Sequence, residues 1–272
     1  MPELPEVETI KNDLAQKVLG LSITGVTIYD ARIIYGMPPE RFRRYLRGQS
    51  ITQISRRSKG LIWTLQPSMR FLIVQVMMTG QLIYATRVHK DRHTRVLFKL
   101  SNHHYLHYND QRLFGRLLVV DDWRELSYFH QMGPEPLGDD FNERWLQEAL
   151  ARRSTAIKPL LMDHRLVAGI GNIYASEICY RCGILPQRPA KTLTQEEIGA
   201  LCRSVKEVLG EAITHRGTSM RNYRDSNGAE GNFKDRIRIY GRDNQPCLRC
   251  HHLIERIVLN GRSTFYCRQC QG

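Results

Sequence analysis

The sequence lacks any run of about 18 apolar residues, the length that a membrane-spanning helix requires. Its opening, MPELPEVETI, holds three glutamates and no apolar core, so no secretory signal is expected and the chain is read as cytoplasmic. Cysteine is scarce and odd in number, seven in all, with four of them between residues 247 and 270. That count, without an export signal, excludes a disulfide framework. Acidic charge is also short: 27 Asp and Glu face 40 Lys and Arg, a net charge of +13 and a pI near 9.6. A field of that sign draws polyanions, of which nucleic acid is the commonest. No long internal repeat and no low-complexity tract interrupts the chain, and a hydrophobic content of 42% is ordinary for a globular protein.

What is present falls into three textures. Residues 5–20 read as an amphipathic helix, with Val7, Ile10, Leu14 and Val18 at helical spacing, Pro5 in the first turn and Gly20 beyond the end. From about 21 to 121 six β-branched, partly alternating segments separated by turn residues predict a β-sandwich. The Gly/Pro-rich stretch Met132-Gly-Pro-Glu-Pro136 reads as a linker. Beyond it, 142–151, 158–165, 172–182 and 194–214 read as helices, and 217–234, polar and Gly-rich, as a mobile loop. The expected fold is α+β: an N-terminal sandwich domain over 1–132, a helical domain over 133–236 and a cysteine-bearing ribbon over 237–272.

The ribbon is the clearest motif. Cys247-x2-Cys250, sixteen residues, then Cys267-x2-Cys270 presents four thiolates to one tetrahedral Zn²⁺. Four thiolates leave no open coordination position, so the zinc is expected to be structural. Between the pairs, Asn260-Gly261 joins two strand-like runs and favours a tight hairpin turn with Arg262 at its tip.

Several blocks, taken in order, resemble the formamidopyrimidine-DNA glycosylases, a group that also includes endonuclease VIII. They are Pro2-Glu-Leu-Pro-Glu-Val-Glu-Thr9, Arg56-Arg-Ser-Lys59, Met78-Thr-Gly80 and Asp110-Gln-Arg-Leu-Phe-Gly115, then Ala168-Gly-Ile-Gly-Asn-Ile-Tyr-Ala175 with Glu177, and finally Ile239-Tyr-Gly-Arg242 and Gly261-Arg-Ser-Thr264. The resemblance spans nearly the whole chain. It implies a bifunctional glycosylase and abasic-site lyase of base excision repair, acting on damaged double-stranded DNA as a monomer with zinc as its one cofactor. Its substrates would be 8-oxoguanine and formamidopyrimidines, removed through a Schiff base and β,δ-elimination.

The residue roles follow from the same resemblance. Pro2, exposed by loss of Met1, would be the nucleophile, since an α-amino group titrates near pH 8 and is partly neutral at pH 7. Glu3 would move protons, Glu6 would orient the terminus, and Lys59 would contact phosphate beside the lesion. Met78, Arg112 and Phe114 would fill the gap left by an everted base. The resemblance makes the helical domain a DNA-binding helix–two-turn–helix with a lesion-covering loop: Asn172, Lys158 and Arg262 would hold the backbone, and Thr218, Ser219 and Tyr223 in the loop would read the base edge. The chain departs from the formamidopyrimidine branch at Gln75, Gly60, Gln111, His164 and the run Arg216-Gly-Thr-Ser219. Two alternatives therefore stand: the same chemistry on oxidised pyrimidines or bulkier lesions, as in endonuclease VIII, or a non-catalytic zinc-ribbon DNA-binding protein.

Overall fold

The computed structural model describes residues 2–89 and 91–272. The chain divides into two compact units, Met1–His130 with His215–Lys234, and Gln131–Thr214 with Asp235–Gly272.

The first unit begins with α1 (Leu4–Val18), whose Val7, Ile10, Leu14 and Val18 are fully buried. The helical spacing read from the sequence thus marks its core face. Eight strands follow: β1 (Ile23–Ile28), β2 (Ser50–Arg57), β3 (Gly60–Gln66), β4 (Arg70–Gln75), β5 (Gly80–Ala85), β6 (Thr94–Leu100), β7 (Tyr105–Asp110) and β8 (Arg116–Val120). They form two antiparallel four-stranded sheets, ordered β1-β6-β7-β5 and β2-β3-β4-β8. One apolar core joins them. Leu61, Trp63, Leu72 and Val74 come from one sheet, Val96, Phe98, Leu106 and Tyr108 from the other, and Val7, Ile10 and Leu14 from α1. This is the expected sandwich.

Two strands, β5 and β7, exceed the six read from sequence. In β7 the run Tyr-Leu-His-Tyr-Asn-Asp is too polar to read as a strand, yet His107 and Asp110 are buried in it. A second helix, α2 (Pro39–Leu46), begins at the second of two prolines, a residue that suits the first helical position, and buries Phe42 and Leu46. A short helical turn, α3 (Ser127–His130), buries Phe129.

The second unit is helical: α4 (Glu143–Leu150), α5 (Ile157–Leu161), α6 (Asn172–Cys182) and α7 (Gln195–Thr214), followed by the hairpin β9 (Glu255–Leu259) and β10 (Arg262–Tyr266). Gly183, at φ +77°, caps α6 in the left-handed conformation that a glycine adopts without strain. Inside α6 the buried Glu177 carboxylate accepts the backbone N–H groups of Arg238, Ile239 and Tyr240 at 2.9, 3.0 and 2.9 Å. One side chain thereby fixes the start of the segment that leads into the ribbon.

One assignment differs from the sequence reading. Residues 215–234, placed with the helical domain by their position in the chain, pack with the N-terminal unit.

Candidate active site and nucleic-acid interface

The terminus is fixed by its own first helix. Pro2 and Glu3 are buried just ahead of α1, where the helix N-terminus favours negative charge. The Glu6 carboxylate turns back, and its Oε2 accepts the Glu3 N–H at 2.7 Å. Its other oxygen, Oε1, accepts the Thr218 N–H at 2.7 Å. A single buried carboxylate therefore holds both the terminal backbone and the base of the 217–234 segment. A Cβ on Gly217 would lie 2.6 Å from Glu6 Oε1, and Gly217 has φ +76°. Only glycine allows that approach.

Lys59 stands in the two-residue connection between β2 and β3, where Arg57 pairs with Gly60 and Ser58 has φ +54°. Arg56 bonds the Ser58 carbonyl at 2.8 Å and Glu8 of α1 at 2.7 Å, which ties the lysine's turn to the helix that carries the terminus. Burial pushes the Glu8 carboxyl up, but its bonds to Lys11 and Arg56 outweigh this and hold it below the usual range. Glu8 and Arg56 each lie inside a matched block, but nothing in the sequence indicates that they pair.

Met78, Arg112 and Phe114 share one scaffold. Gly80 and Asp110 are register partners, so the turn before β5 and the loop after β7 lie side by side. The fully buried Asp110 carboxylate accepts the Thr79 hydroxyl, the Arg112 N–H at 3.2 Å and the Gly115 N–H at 2.8 Å. The Arg112 guanidinium lies 4.4 Å from the centre of the Phe114 ring, a cation–π pair. Phe114 remains 47% exposed. An exposed aromatic ring has no packing role in the core, and Asp110 and Thr79, which bond the backbone of its loop, are supports that the sequence did not mark.

The 217–234 segment is anchored rather than loose at its base. Thr218 pairs with Asn232, the Ser219 hydroxyl donates to the Tyr223 carbonyl at 3.0 Å and accepts the Gly231 N–H at 2.9 Å, and the Tyr223 hydroxyl reaches the Glu6 carbonyl at 3.4 Å. All three residues expected to read a base are buried in these contacts. Met220, Arg221 and Asn222 are the exposed apex between them.

In the second unit, Lys158 and Asn172 meet the ribbon. The Lys158 ammonium donates to Asn172 Oδ1 at 2.6 Å, Thr264 Oγ1 at 2.7 Å and the Ser263 carbonyl at 3.2 Å. Asn172 Nδ2 donates to the same carbonyl at 3.1 Å. Lys158 is only 1% exposed, so its charge joins α5, α6 and the hairpin instead of facing outward. Arg262 is exposed at the hairpin tip, next to Asn260 at φ +46° and Gly261 at φ +71°, the paired left-handed residues of the expected turn.

The four ribbon cysteines converge, with all their sulfur atoms within 4.8 Å of one another. Cys247 and Cys270 are 3.8 Å apart, and Cys250 and Cys267 are 3.4 Å apart. Zn–S bonds of about 2.3 Å in a tetrahedron put sulfurs about 3.8 Å apart, so the cluster fits zinc. Its charges agree. Burial opposes ionisation of Cys247, but the Tyr180 hydroxyl and backbone N–H groups outweigh it and pull the thiol down to about 6. Burial and the neighbouring sulfurs push Cys267 and Cys270 up, so a full set of thiolates calls for a cation. Cys179 and Cys182 are absent from this cluster and sit on α6, where burial pushes both thiols up. A structural role matches that placement.

Three family models cover most of the chain: the formamidopyrimidine-DNA glycosylase N-terminal domain over residues 1–117, the formamidopyrimidine-DNA glycosylase H2TH domain over 132–224, and the zinc finger found in FPG and IleRS over 244–272. A formamidopyrimidine-DNA glycosylase of Desulfitobacterium hafniense is 43% identical over 274 residues, with all of both chains covered.

The chain belongs to the formamidopyrimidine-DNA glycosylase family.

Another family member, from Pelotomaculum thermopropionicum, is 41% identical and covered over 99% of its length by all of this chain. Among solved family structures, the MutM (FPG) protein of Thermus thermophilus matches with a TM-score of 0.88 at 36% identity, over 99% of this chain and 98% of that one. A Lactococcus lactis FPG mutant in complex with DNA containing Fapy-dG matches with a TM-score of 0.92 at 33% identity, over 99% of each chain. One departure from the family pattern now has a physical reason. A Cβ on Gly60 would lie 2.9 Å from the Phe129 ring, so α3 occupies the space of a bulkier residue.

Proposed function

We propose that this chain excises oxidised purines, formamidopyrimidines and 8-oxoguanine, from double-stranded DNA and then cleaves the resulting abasic strand. Removal of Met1 exposes the Pro2 secondary amine. The amine attacks C1′ of the lesion, the C1′–base bond breaks, and Glu3 supplies the proton that opens the sugar ring. The resulting iminium carries a fixed positive charge. It withdraws electrons from C2′, a C2′ proton is lost, and the 3′ phosphate departs. A second elimination expels the 5′ phosphate.

Lys59 supports this by neutralising a phosphate beside the lesion. Met78, Arg112 and Phe114 enter the stack in place of the everted base, and the buried Asp110 carboxylate holds the loop that carries Arg112 and Phe114. The apex of the 217–234 segment covers that base. Asn172, at the start of α6, and Arg262 grip the backbone, while Lys158 sets their spacing from within. Zinc staples the hairpin that carries Arg262. The protein works as a monomer in the cytoplasm, and among the described residues no helix is long and apolar enough to cross a membrane.

The observation that carries this reading is the bridge from Glu6 to Glu3 and to Thr218. It gathers the nucleophile's backbone and the lesion-covering segment on one carboxylate, a geometry a simple DNA-binding relic has no use for. Borohydride trapping tests it. Incubation with duplex DNA containing 8-oxoguanine opposite cytosine should give a covalent adduct that Pro2→Gly abolishes. An adduct formed only with an oxidised pyrimidine would move the substrate class. No adduct even with an abasic site, from protein lacking Met1, would overturn the enzymatic reading.

A further inference from the structure

The 215–234 segment is fastened to α1 at a second place, away from Glu6. Arg216 has φ +62°, a left-handed conformation that only glycine adopts freely, and it immediately precedes Gly217 at φ +76°. A glycine at 216 would relieve that backbone. The arginine's side chain compensates by joining two carboxylates. Its Nη2 reaches Asp13 of α1 at 2.6 Å and Asp225 at 2.5 Å, and its Nε reaches Asp225 at 3.1 Å. Asp225 is 1% exposed, and its other oxygen accepts the N–H groups of Asn227 and Ala229 at 2.8 and 2.9 Å. The arginine thus couples α1 to the turn on the far side of the apex. Ser226 continues the seam, accepting from Lys17 of α1 at 2.8 Å and giving its carbonyl to the Tyr84 N–H at 2.9 Å. Between the two fastenings only Met220, Arg221 and Asn222 project, with the Asn222 carbonyl held by Gln81 at 2.6 Å.

The geometry points to Asp13, Arg216 and Asp225 as a latch that positions the exposed apex over the everted base, making them positioning residues for base excision but not for strand cleavage. The inference rests on the proposed function. An abasic site has no base for the apex to hold, so the latch should matter only when a base is present. Two fastened ends also leave a short apex little freedom, so its covering position costs little further ordering when a base arrives.

Arg216→Gly and Asp13→Asn separate these effects. In single-turnover assays each variant is expected to lose about tenfold in base excision from a formamidopyrimidine-containing duplex, roughly 1.4 kcal/mol of barrier. Cleavage of a preformed abasic duplex should stay within about twofold of wild type, a change worth less than half a kcal/mol. Arg216→Lys, which keeps one charge, should recover part of the loss. Limited trypsin digestion gives a readout independent of activity: both variants should be cut faster at Arg221 and Arg224. Equal losses on both substrates, no loss on either, or unchanged cutting at those arginines would each overturn the latch. Absence of any borohydride adduct in the unmutated protein would instead overturn the functional reading and leave the digestion result to judge the latch.

Discussion

Substitution of Asp110 tests whether the gap-filling residues depend on a buried acceptor. The carboxylate serves three donors, of which the Arg112 N–H keeps a second partner in the Thr79 hydroxyl oxygen at 3.0 Å. Asp110→Ala therefore orphans two groups, the Thr79 O–H and the Gly115 N–H. Each buried orphan costs about 1–3 kcal/mol, so a loss of roughly 3–4 kcal/mol is expected. The loop cannot collapse to recover it, because the position of a Cβ on Gly115 lies 1.6 Å from the Tyr108 hydroxyl oxygen. Asp110→Asn keeps the shape but turns an amide N–H₂ toward one of the donors, at about half that cost. For a chain of this length each kcal/mol moves the melting temperature by about 2–4 °C, so the alanine variant should melt roughly 6–16 °C lower. Calorimetry reads the shift, and competition binding reads its consequence. With Arg112 and Phe114 no longer held, affinity for lesion duplex should fall toward that for undamaged duplex. If Asp110→Asn melted within about 1 °C of wild type and kept its lesion preference, the carboxylate would not be the support argued here.

The other expectations are narrower. Glu6→Gln keeps one acceptor but faces its amide N–H₂ against either the Glu3 or the Thr218 N–H, so the rate of borohydride-trapped adduct formation should drop about tenfold, a barrier raised by roughly 1.4 kcal/mol. Gly217→Ala must both adopt φ +76° and crowd Glu6; the left-handed backbone alone costs about 1–2 kcal/mol, readable by urea denaturation. Cys250→Ser or a strong chelator should release zinc and lower DNA affinity without shifting the unfolding of the N-terminal unit, as followed by zinc release and filter binding. Burial pushes the Asp225 carboxyl up, but Arg216 and the N–H groups of Ala229 and Asn227 outweigh it and hold it below the usual range. A depressed folded value stabilises above the ordinary aspartate value near pH 4 and is lost as pH falls through the folded value, so protection of Arg221 and Arg224 from proteolysis, tested with an acid-tolerant protease, should be flat from about pH 5 to 8 and decline only in stronger acid.

Much of this was legible because the relevant signals are local. The buried face of α1, the spacing of Cys247, Cys250, Cys267 and Cys270, and the Asn260-Gly261 turn each follow from residues close together in the chain. Strand β7 was not legible because its buried polar groups, His107 and Asp110, break the alternation that marks a strand. Lys158 invites a reading as an outward phosphate contact, since its Asn172, Ser263 and Thr264 partners come from elements up to 106 residues away.

The 217–234 segment shows why composition alone fails there. Polar, Gly-rich sequence suggests mobility because such residues bury little apolar surface to offset the cost of ordering. Here the offset comes from charge and hydrogen bonding to groups that precede the segment by some two hundred residues: Glu6 for Thr218, Asp13 for Arg216, Lys17 for Ser226. Those three α1 residues read in isolation as ordinary helix-surface charges. Their meaning appears only once the chain has folded back. A segment held by such pairs at both ends, with three exposed residues between, is ordered by bonds that one substitution can remove, whereas an apolar anchor would be spread over many contacts. That is why the Arg216 and Asp13 variants should alter the handling of a base without disturbing the sandwich core beneath.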